Sequence, residues 1–409
     1  MSAERQRLRL ALLRLFGALS KPLRRSAPPT SSSNPRILLI RPDHIGDLLF
    51  ATPAIRALRV ALPDAHLTCL VGPWGEAVLQ DNPHLDEIRV CPFPGFTRQH
   101  KGSWLAPYRT LWEWANGLRA ARFDLAVVLR FDHWWGALLA YMAGIPVRVG
   151  YDIAECQPFS TDAPPYVSSR HEVVQNLTLV QHALSRFRGG ANTAAAASPL
   201  AAPLQFAVQQ EDREWVERYL AEQGVVPGDQ LIAIHPGAGA AVKLWRNEAW
   251  AQVAGALVER WPLRAVITGS RRELDLAWSV YAGMKGEAVV AAGATTLGQL
   301  AALFERCQLV LGPDCGPVHL AVAVGTPTVH LYGPVDALKF GPWGDARLFL
   351  VVVSRRDCVP CDRLDYHASE LPSHPCVREI GVEAVLAAAK LLLARSRSAA
   401  GSIIPQSRR

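Results

Sequence analysis

Three stretches of this chain set carboxylates, a lysine and glycines directly behind short apolar runs. The first is Arg41-Pro42-Asp43-His44-Ile45-Gly46-Asp47, followed by the apolar helical pattern Leu48-Leu49-Phe50-Ala51-Thr52-Pro53. Asp47 falls at or near a helix start, where a carboxylate can complement the helix dipole, cap the helix, or be held in place as a base. Pro53 lies about two turns further on and suggests a kink or a fresh first turn there. The second stretch runs from His235-Pro236-Gly237-Ala238-Gly239 to Val242-Lys243-Leu244-Trp245. Gly237 and Gly239 let backbone N–H groups approach a phosphate, and Lys243 brings a neutralising charge. The same residues make a partial G-x-G-x-x-V dinucleotide fingerprint, so a dehydrogenase is one reading. No acidic ribose partner is evident after the following strand, where Ala265–Thr268 leads to Gly269-Ser270-Arg271. The third stretch is Gly312-Pro313-Asp314-Cys315-Gly316-Pro317-Val318-His319, a strand end, a turn and a helix start. Its helix N-terminus can take a diphosphate. Asp314 would repel a phosphate directly and suits loop N–H groups or a sugar hydroxyl, and His319 has a buried structural role as its plain alternative.

Elements that could hold these loops recur along the chain. Ile37–Ile40, His66–Val71, Glu87–Cys91 and Asp124–Leu129 read as strands separated by helical patterns. The alternation restarts at Leu231–His235, Ala265–Thr268, Ala288–Val290, Leu309–Leu311 and Thr328–Leu331, with helices from near Asn247, Glu273, Leu297 and Val318. Near-continuous apolar strands between helices predict parallel sheets covered on both faces. In such sheets ligands lie beyond the carboxyl ends of the strands, which is where all three loops fall. The Gly-, Ala- and Pro-rich stretch from Gly189 reads as an interdomain connection, so the fold class is α/β with two domains. Val382–Leu393 reads as a helix, with a loose basic tail from Arg395.

Taken in order, Asp43-His44-Ile45-Gly46-Asp47 with Thr52-Pro53, the His235-Pro236-Gly237 loop with Lys243 and Trp245, and Asp314-Cys315-Gly316-Pro317-Val318-His319 with Pro327 and Tyr332-Gly333-Pro334 resemble the ADP-heptose:lipopolysaccharide heptosyltransferases, glycosyltransferase family nine. The resemblance covers roughly residues 36 to 390. It implies a GT-B fold, two Rossmann-like domains with parallel sheets facing a central cleft. It further implies 35–188 as the acceptor-binding domain and 206–395 as the nucleotide-sugar domain, while amphipathicity and composition read 1–34 as a basic amphipathic helix and linker, 189–205 as the interdomain linker and 396–409 as a flexible tail. The implied reaction is inverting and needs no cofactor or catalytic metal. Asp47 matches the general base, and Lys243 faces the donor diphosphate. Gly237, Gly239, Asp314, Cys315, Gly316, Pro317 and His319 complete the donor site. Arg41, His44, Gly46 and Arg130 are candidate acceptor contacts, and the aromatic and basic stretches 96–104 and 130–135 read equally as acceptor contacts or as a surface patch used for packing. Cys315 stands where the family has Ser or Thr, so a weak thiol donor replaces a hydroxyl. Another nucleotide-sugar, or a non-catalytic relative binding nucleotide or glycolipid, remains an open alternative.

The 409 residues are 50% hydrophobic and 19% charged, with a net charge of +7. Residues 1–25 hold seven basic groups and one acidic, which leaves the body nearly neutral. A nucleic-acid surface would place its cations on the folded body, so no nucleic-acid partner is expected. Leu8, Leu12, Leu15, Phe16, Leu19 and Leu23 share one helical face opposite Arg7, Arg14, Lys21 and Arg25. Such a helix can lie on an anionic membrane, pack on protein, or act as a targeting segment. With a lipid-linked glycan acceptor and an ADP-sugar donor, it suits a cytoplasmic enzyme peripheral to the bacterial inner membrane. Cys358, Cys361 and Cys376, with His367 and His374 nearby, read as a loop of reduced thiols, a zinc site or a disulfide.

Overall fold

The Ile-Leu-Leu-Ile run after Pro35 becomes the middle strand of a parallel sheet because both of its faces are covered. In a computed structural model of the protein, residues 10, 11, 13, 15, 34–96, 106–187 and 202–401 are described. The chain divides into two units, Met1–Ala202 and Pro203–Arg409. Both are built as alternating strands and helices around parallel sheets, each Rossmann-like, which is the GT-B class of fold.

In the first unit the elements run β1 (Arg36–Arg41), α1 (Ile45–Ala61), β2 (His66–Val71), α2 (Glu76–Leu79), β3 (Glu87–Val90), α3 (Ala106–Ala120), β4 (Leu125–Val128), α4 (Trp134–Met142), β5 (Val147–Val149) and α5 (Glu172–Phe187). The sheet order is β3-β2-β1-β4-β5. Strands after β1 are added on one side until β3, and the chain then crosses back to lay β4 against the other side of β1. The loops leaving β1 and β4 therefore emerge side by side at the point where strand order reverses, the usual place for a ligand. Ile37 to Ile40 are fully buried, and β5 is a strand the sequence pattern did not announce.

One continuous helix, α1, runs through Pro53, so the expected fresh first turn does not occur. Proline has no N–H for the carbonyl four residues back. Here the Thr52 hydroxyl donates to that carbonyl, Leu49 O, at 2.7 Å, so the gap in the ladder is closed within the helix.

The second unit runs α6 (Gln210–Glu222), β6 (Gln230–Ile234), α7 (Asn247–Arg260), β7 (Leu263–Ile267), α8 (Leu274–Gly283), β8 (Ala288–Val290), α9 (Leu297–Glu305), β9 (Cys307–Pro313), α10 (Gly316–Ala323), β10 (Thr328–Tyr332), α11 (Ala337–Phe340), β11 (Phe349–Val353) and α12 (Val382–Gly401). Its order, β11-β10-β9-β6-β7-β8, reverses between β6 and β9. A 3-10 turn at Arg271–Glu273 precedes α8, and α10 starts at Gly316 rather than near Val318. The helix α12 continues to Gly401, which corrects the expectation of a loose tail from Arg395 and a flexible segment from 396. Val385, Ala389 and Leu392 of α12 join the unit's core with Trp245 and Trp250.

Most of the N-terminal segment 1–34 and most of the 189–205 connection lie outside the described residues. Of the predicted amphipathic helix, Leu13 is buried in the first unit's core cluster while Leu15, on the predicted apolar face, is 57% exposed. No described helix is long and apolar enough to cross a membrane.

Thr52 is buried, and replacing it by the isosteric valine strands the Leu49 carbonyl. Thr52→Val is expected to lower stability by about 1–3 kcal/mol, read by urea unfolding; an unchanged midpoint would show that the hydroxyl does not complete the ladder.

Candidate active site

Arg41, the last residue of β1, is only 2% exposed, and a guanidinium withdrawn from water requires opposite charge around it. The structure supplies three carboxylates: Asp43 at 2.7 Å, Glu172 from α5 at 2.8 Å and Asp47 from the first turn of α1 at 3.3 Å. Arg41 also donates to Leu129 O at the end of β4 and to Asn176 Oδ1. Asn176 in turn donates to Phe50 O on α1. Arg130, from the loop after β4, ion-pairs with Asp43 and with Asp132.

These neighbours divide the carboxylates into two kinds. Burial disfavours the charge on Asp43, but Arg41 and Arg130 outweigh it and hold its carboxyl below the usual range. Asp47 has a less favourable place. Burial, Asp43 and Glu172 push its pKa up to about 7, against the pull of Arg41 and a weaker one from Arg130. Its side chain is still 32% exposed, so a ligand can reach it. A carboxyl with a pKa near 7 that is open on one side has the properties of a general base at neutral pH.

Of the other residues predicted here, Gly46 lies in the first turn of α1. His44 precedes that helix, with its ring 5.2 Å from that of Trp74. Arg41 is corrected: buried and fully engaged with protein carboxylates, it organises Asp47 and is not exposed to touch an acceptor. Of the aromatic stretch 96–104, only Phe96 is among the described residues.

In the second unit, the loops after β6 and β9 meet at the strand-order reversal. Lys243 Nζ donates to Asp314 Oδ2 at 2.7 Å and to Asp314 O at 3.2 Å. Asp314 therefore sits on Lys243 rather than on loop N–H groups. His319, in α10 and 2% exposed, brings Nε2 to 3.5 Å from Asp314 Oδ1. Burial opposes the charge on Asp314, yet His319 and Lys243 together hold its carboxyl well below the usual range. Gly316 and Pro317 form the first turn of α10, where a proline costs no hydrogen bond. Cys315 precedes them, 8% exposed, its thiol pushed up to about 12 by burial and therefore protonated.

Gly237 is buried and Gly239 exposed. A Cβ on Gly237 would lie 2.0 Å from Glu273 Oε1. That carboxylate also accepts from the Ser270 hydroxyl at 2.7 Å, capping the turn after β7. Beside it, His235 Nδ1 meets Thr268 Oγ1 at 3.0 Å, and burial pushes the His235 imidazole down to about 4. Trp245 is buried and donates from Nε1 to Ile380 O at 3.0 Å, fixing the chain two residues beyond Lys243.

Asp43, Glu172 and Glu273 were not singled out as functional by sequence. Asp43 carried a signal, two residues from Arg41 within the same loop. Glu172 carried none, being 131 residues from Arg41. All eight cysteines are free thiols, with Cys358 and Cys361 exposed and Cys376 buried. Among the described residues, no group of three His, Cys, Asp or Glu side chains is placed to hold a metal ion.

Residues 111–368 match the family model for glycosyltransferase family 9 (heptosyltransferase). The chain is 28% identical over 304 residues to lipopolysaccharide heptosyltransferase 3 of Escherichia coli, covering 73% of this chain and 84% of that protein. Among solved structures, the family 9 glycosyl transferase from Veillonella parvula superposes with a TM-score of 0.73 at 24% identity, over 90% of this chain and all of that one. The E. coli ADP-heptose lps heptosyltransferase II gives 0.68 at 21% identity, over 88% and 99%. At these identities the structural likeness is one of fold.

Because Asp47 takes up its proton more readily in the folded state than in the unfolded one, its charge destabilises the fold as pH rises from about 4 to about 7. Wild type is accordingly expected to lose thermal stability relative to Asp47→Asn across that window. In carboxyl-carbon NMR, Asp47 should titrate near pH 7, and the midpoint should fall in Glu172→Gln, where one negative neighbour is gone. A midpoint near 4 in both proteins would contradict this electrostatic account.

Proposed function

Since the chain belongs to glycosyltransferase family 9, we propose that it transfers a heptose from ADP-heptose to a lipopolysaccharide core or a related lipid-linked glycan, with inversion and without a catalytic metal. The observation that carries this reading is the raised pKa and open side of Asp47 in the first unit; the second unit separately holds Lys243 on Asp314 near the N-terminus of α10. In the reaction, an acceptor hydroxyl oxygen bonds to the anomeric carbon from the face opposite the donor phosphate. Its proton passes to the Asp47 carboxylate. The bond from the anomeric carbon to the phosphate oxygen breaks, and its electron pair leaves with ADP.

The leaving diphosphate gains negative charge that must be met. An ammonium has three N–H donors, and Asp314 occupies two of those of Lys243. The third is available to a phosphate oxygen, and the positive end of α10 favours an anion at its N-terminus. Asp314 and His319 thus hold the ammonium in place for the donor. Glu273, next to Gly237, has the place in the fold from which a carboxylate accepts from nucleoside ribose hydroxyls. The relatives named for heptosyl transfer, and the neighbour named for ADP-heptose, support this choice of donor. We place the enzyme on the cytoplasmic face of the bacterial inner membrane, where the basic N-terminal residues and a lipid-linked acceptor would meet.

ADP at a saturating ~100-fold excess over its dissociation constant should stabilise the protein by about 2.7 kcal/mol, while UDP, GDP, CDP and NAD should add much less. Lys243→Ala should abolish the ADP effect. Asp47→Asn should keep it yet lower the rate of heptosyl transfer by about 10²–10⁴-fold, with chelator making no difference to wild type. A preference for another diphosphate would discard ADP-heptose, and full activity in Asp47→Asn would remove the base.

A further inference from the structure

The turn after β2 lies against the loop that carries the candidate base. The strands β1 and β2 pair with Val71 opposite Arg41, so Gly72-Pro73-Trp74-Gly75 leaves the sheet beside Pro42-Asp43-His44. Trp74 reaches across with its indole. Its Nε1–H is shared between the carbonyls of Asp43 at 2.7 Å and Pro42 at 3.1 Å, and its ring lies 5.2 Å from that of His44.

The two glycines allow this approach. A Cβ on Gly72 would stand 2.3 Å from Cζ2 and 2.4 Å from Cε2 of Trp74, so the indole rests directly on the Gly72 backbone. A Cβ on Gly75 would stand 2.5 Å from Cδ1 of Leu48, the residue after Asp47. One short turn thus grips the loop after β1 through Trp74 and the first turn of α1 through Gly75.

What the grip fixes is charge. Asp43 is 2% exposed, with its carboxylate on Arg41 and Arg130. Asp47 is faced by Arg41 and Asp43 from β1 and its loop, by Glu172 from α5 and by Arg130 from the loop after β4; of these groups Asp43 disfavours its charge most. If the Pro42 and Asp43 carbonyls lost their indole donor and turned to water, Asp43 would draw away. Asp47 would then lose its strongest repulsion, take a larger share of Arg41 and gain solvent, and each change favours its charged form.

We infer that Trp74 is a positioning residue for the base: by holding the Pro42 and Asp43 carbonyls it keeps the Asp43 carboxylate beside Arg41 and Asp47. The inference rests on the reading of Asp47 as general base and names what holds that carboxyl ready.

Trp74→Phe keeps an aromatic ring and removes the N–H. In carboxyl-carbon NMR of the full-length protein, the Asp47 midpoint is expected to fall by about one pH unit, a tenfold loss of proton affinity. The rising limb of heptosyl transfer against pH should move down with it. Amide resonances of β1 and β4 that keep their positions show that the variant folds. Should it not fold, the same readings on Gly72→Ala decide, since its methyl group displaces the indole without deleting it. On an Asp43→Asn background there is no carboxylate for the indole to place, and adding Trp74→Phe should produce less than a third of that shift. An unchanged Asp47 midpoint, or the full shift on the Asp43→Asn background, would overturn the inference. A lowered midpoint with an unmoved pH–rate profile would leave Trp74 its positioning role and remove Asp47 as the base.

Discussion

A guanidinium buried at the end of β1 sets the terms for the whole first unit. Removing Arg41 from water costs several kcal/mol unless carboxylates and carbonyls replace the solvent, and the replacements come from every element within reach. Asp43 and Asp47 come from the loop and helix that follow β1, Leu129 O from the end of β4, and Glu172 and Asn176 from α5. The helix α5 is thereby tied to the switch point of a sheet to which it adds no strand. Charge is overcompensated as a result. Three carboxylates around one cation, with Arg130 shared by Asp43 and Asp132, leave Asp47 poorly compensated and raise its proton affinity. The reactivity assigned to Asp47 thus follows from the packing requirement of its neighbour.

The second unit reaches a comparable end with opposite sign. There the scarce group is a cation, and Lys243 is fixed by Asp314, which is itself fixed by His319 from the next turn of α10. A lysine on a flexible stem loses rotamer freedom when it binds an anion; one already held by a carboxylate and a carbonyl has lost most of that freedom on folding. Asp314, which looked out of place beside a phosphate when read as an isolated letter, is what makes the lysine rigid.

The sheets and the three loops were legible because they follow local rules. Apolar runs of strand length between helical periods specify parallel sheets, and the loops stand directly behind those runs. Boundaries moved by at most two residues, except the end of α12, which runs eight residues further than the pattern predicted. The two strands that went unread, β5 and β11, are both outermost in their sheets; Val147–Val149 has only three residues, and Phe349–Val353 is half exposed. Pro53 misled because the compensating group, the Thr52 hydroxyl, acts only once the helix exists. Glu172 and Glu273 were not legible as site residues for a different reason. Their roles arise from what the fold brings near Arg41 and Gly237, and no spacing in the chain encodes that approach. The exposure of Arg41 was misjudged on the same ground, since an arginine beside a glycine-aspartate loop looks like a ligand contact until its burial is known.

Trp245 gives the second unit an unusual dependence on its own end. The indole is locked to the Ile380 carbonyl just before α12, and α12 packs its Val385, Ala389 and Leu392 into the same core. The backbone carrying Lys243 is therefore anchored by residues synthesised more than a hundred positions later. The loop after β6 therefore reaches this form only when the chain through Ile380 is present to fold against it. Chain ends of most domains tolerate trimming or fusion, but here a cut before Ile380 would act at the lysine, as a keystone removed from the far side of an arch.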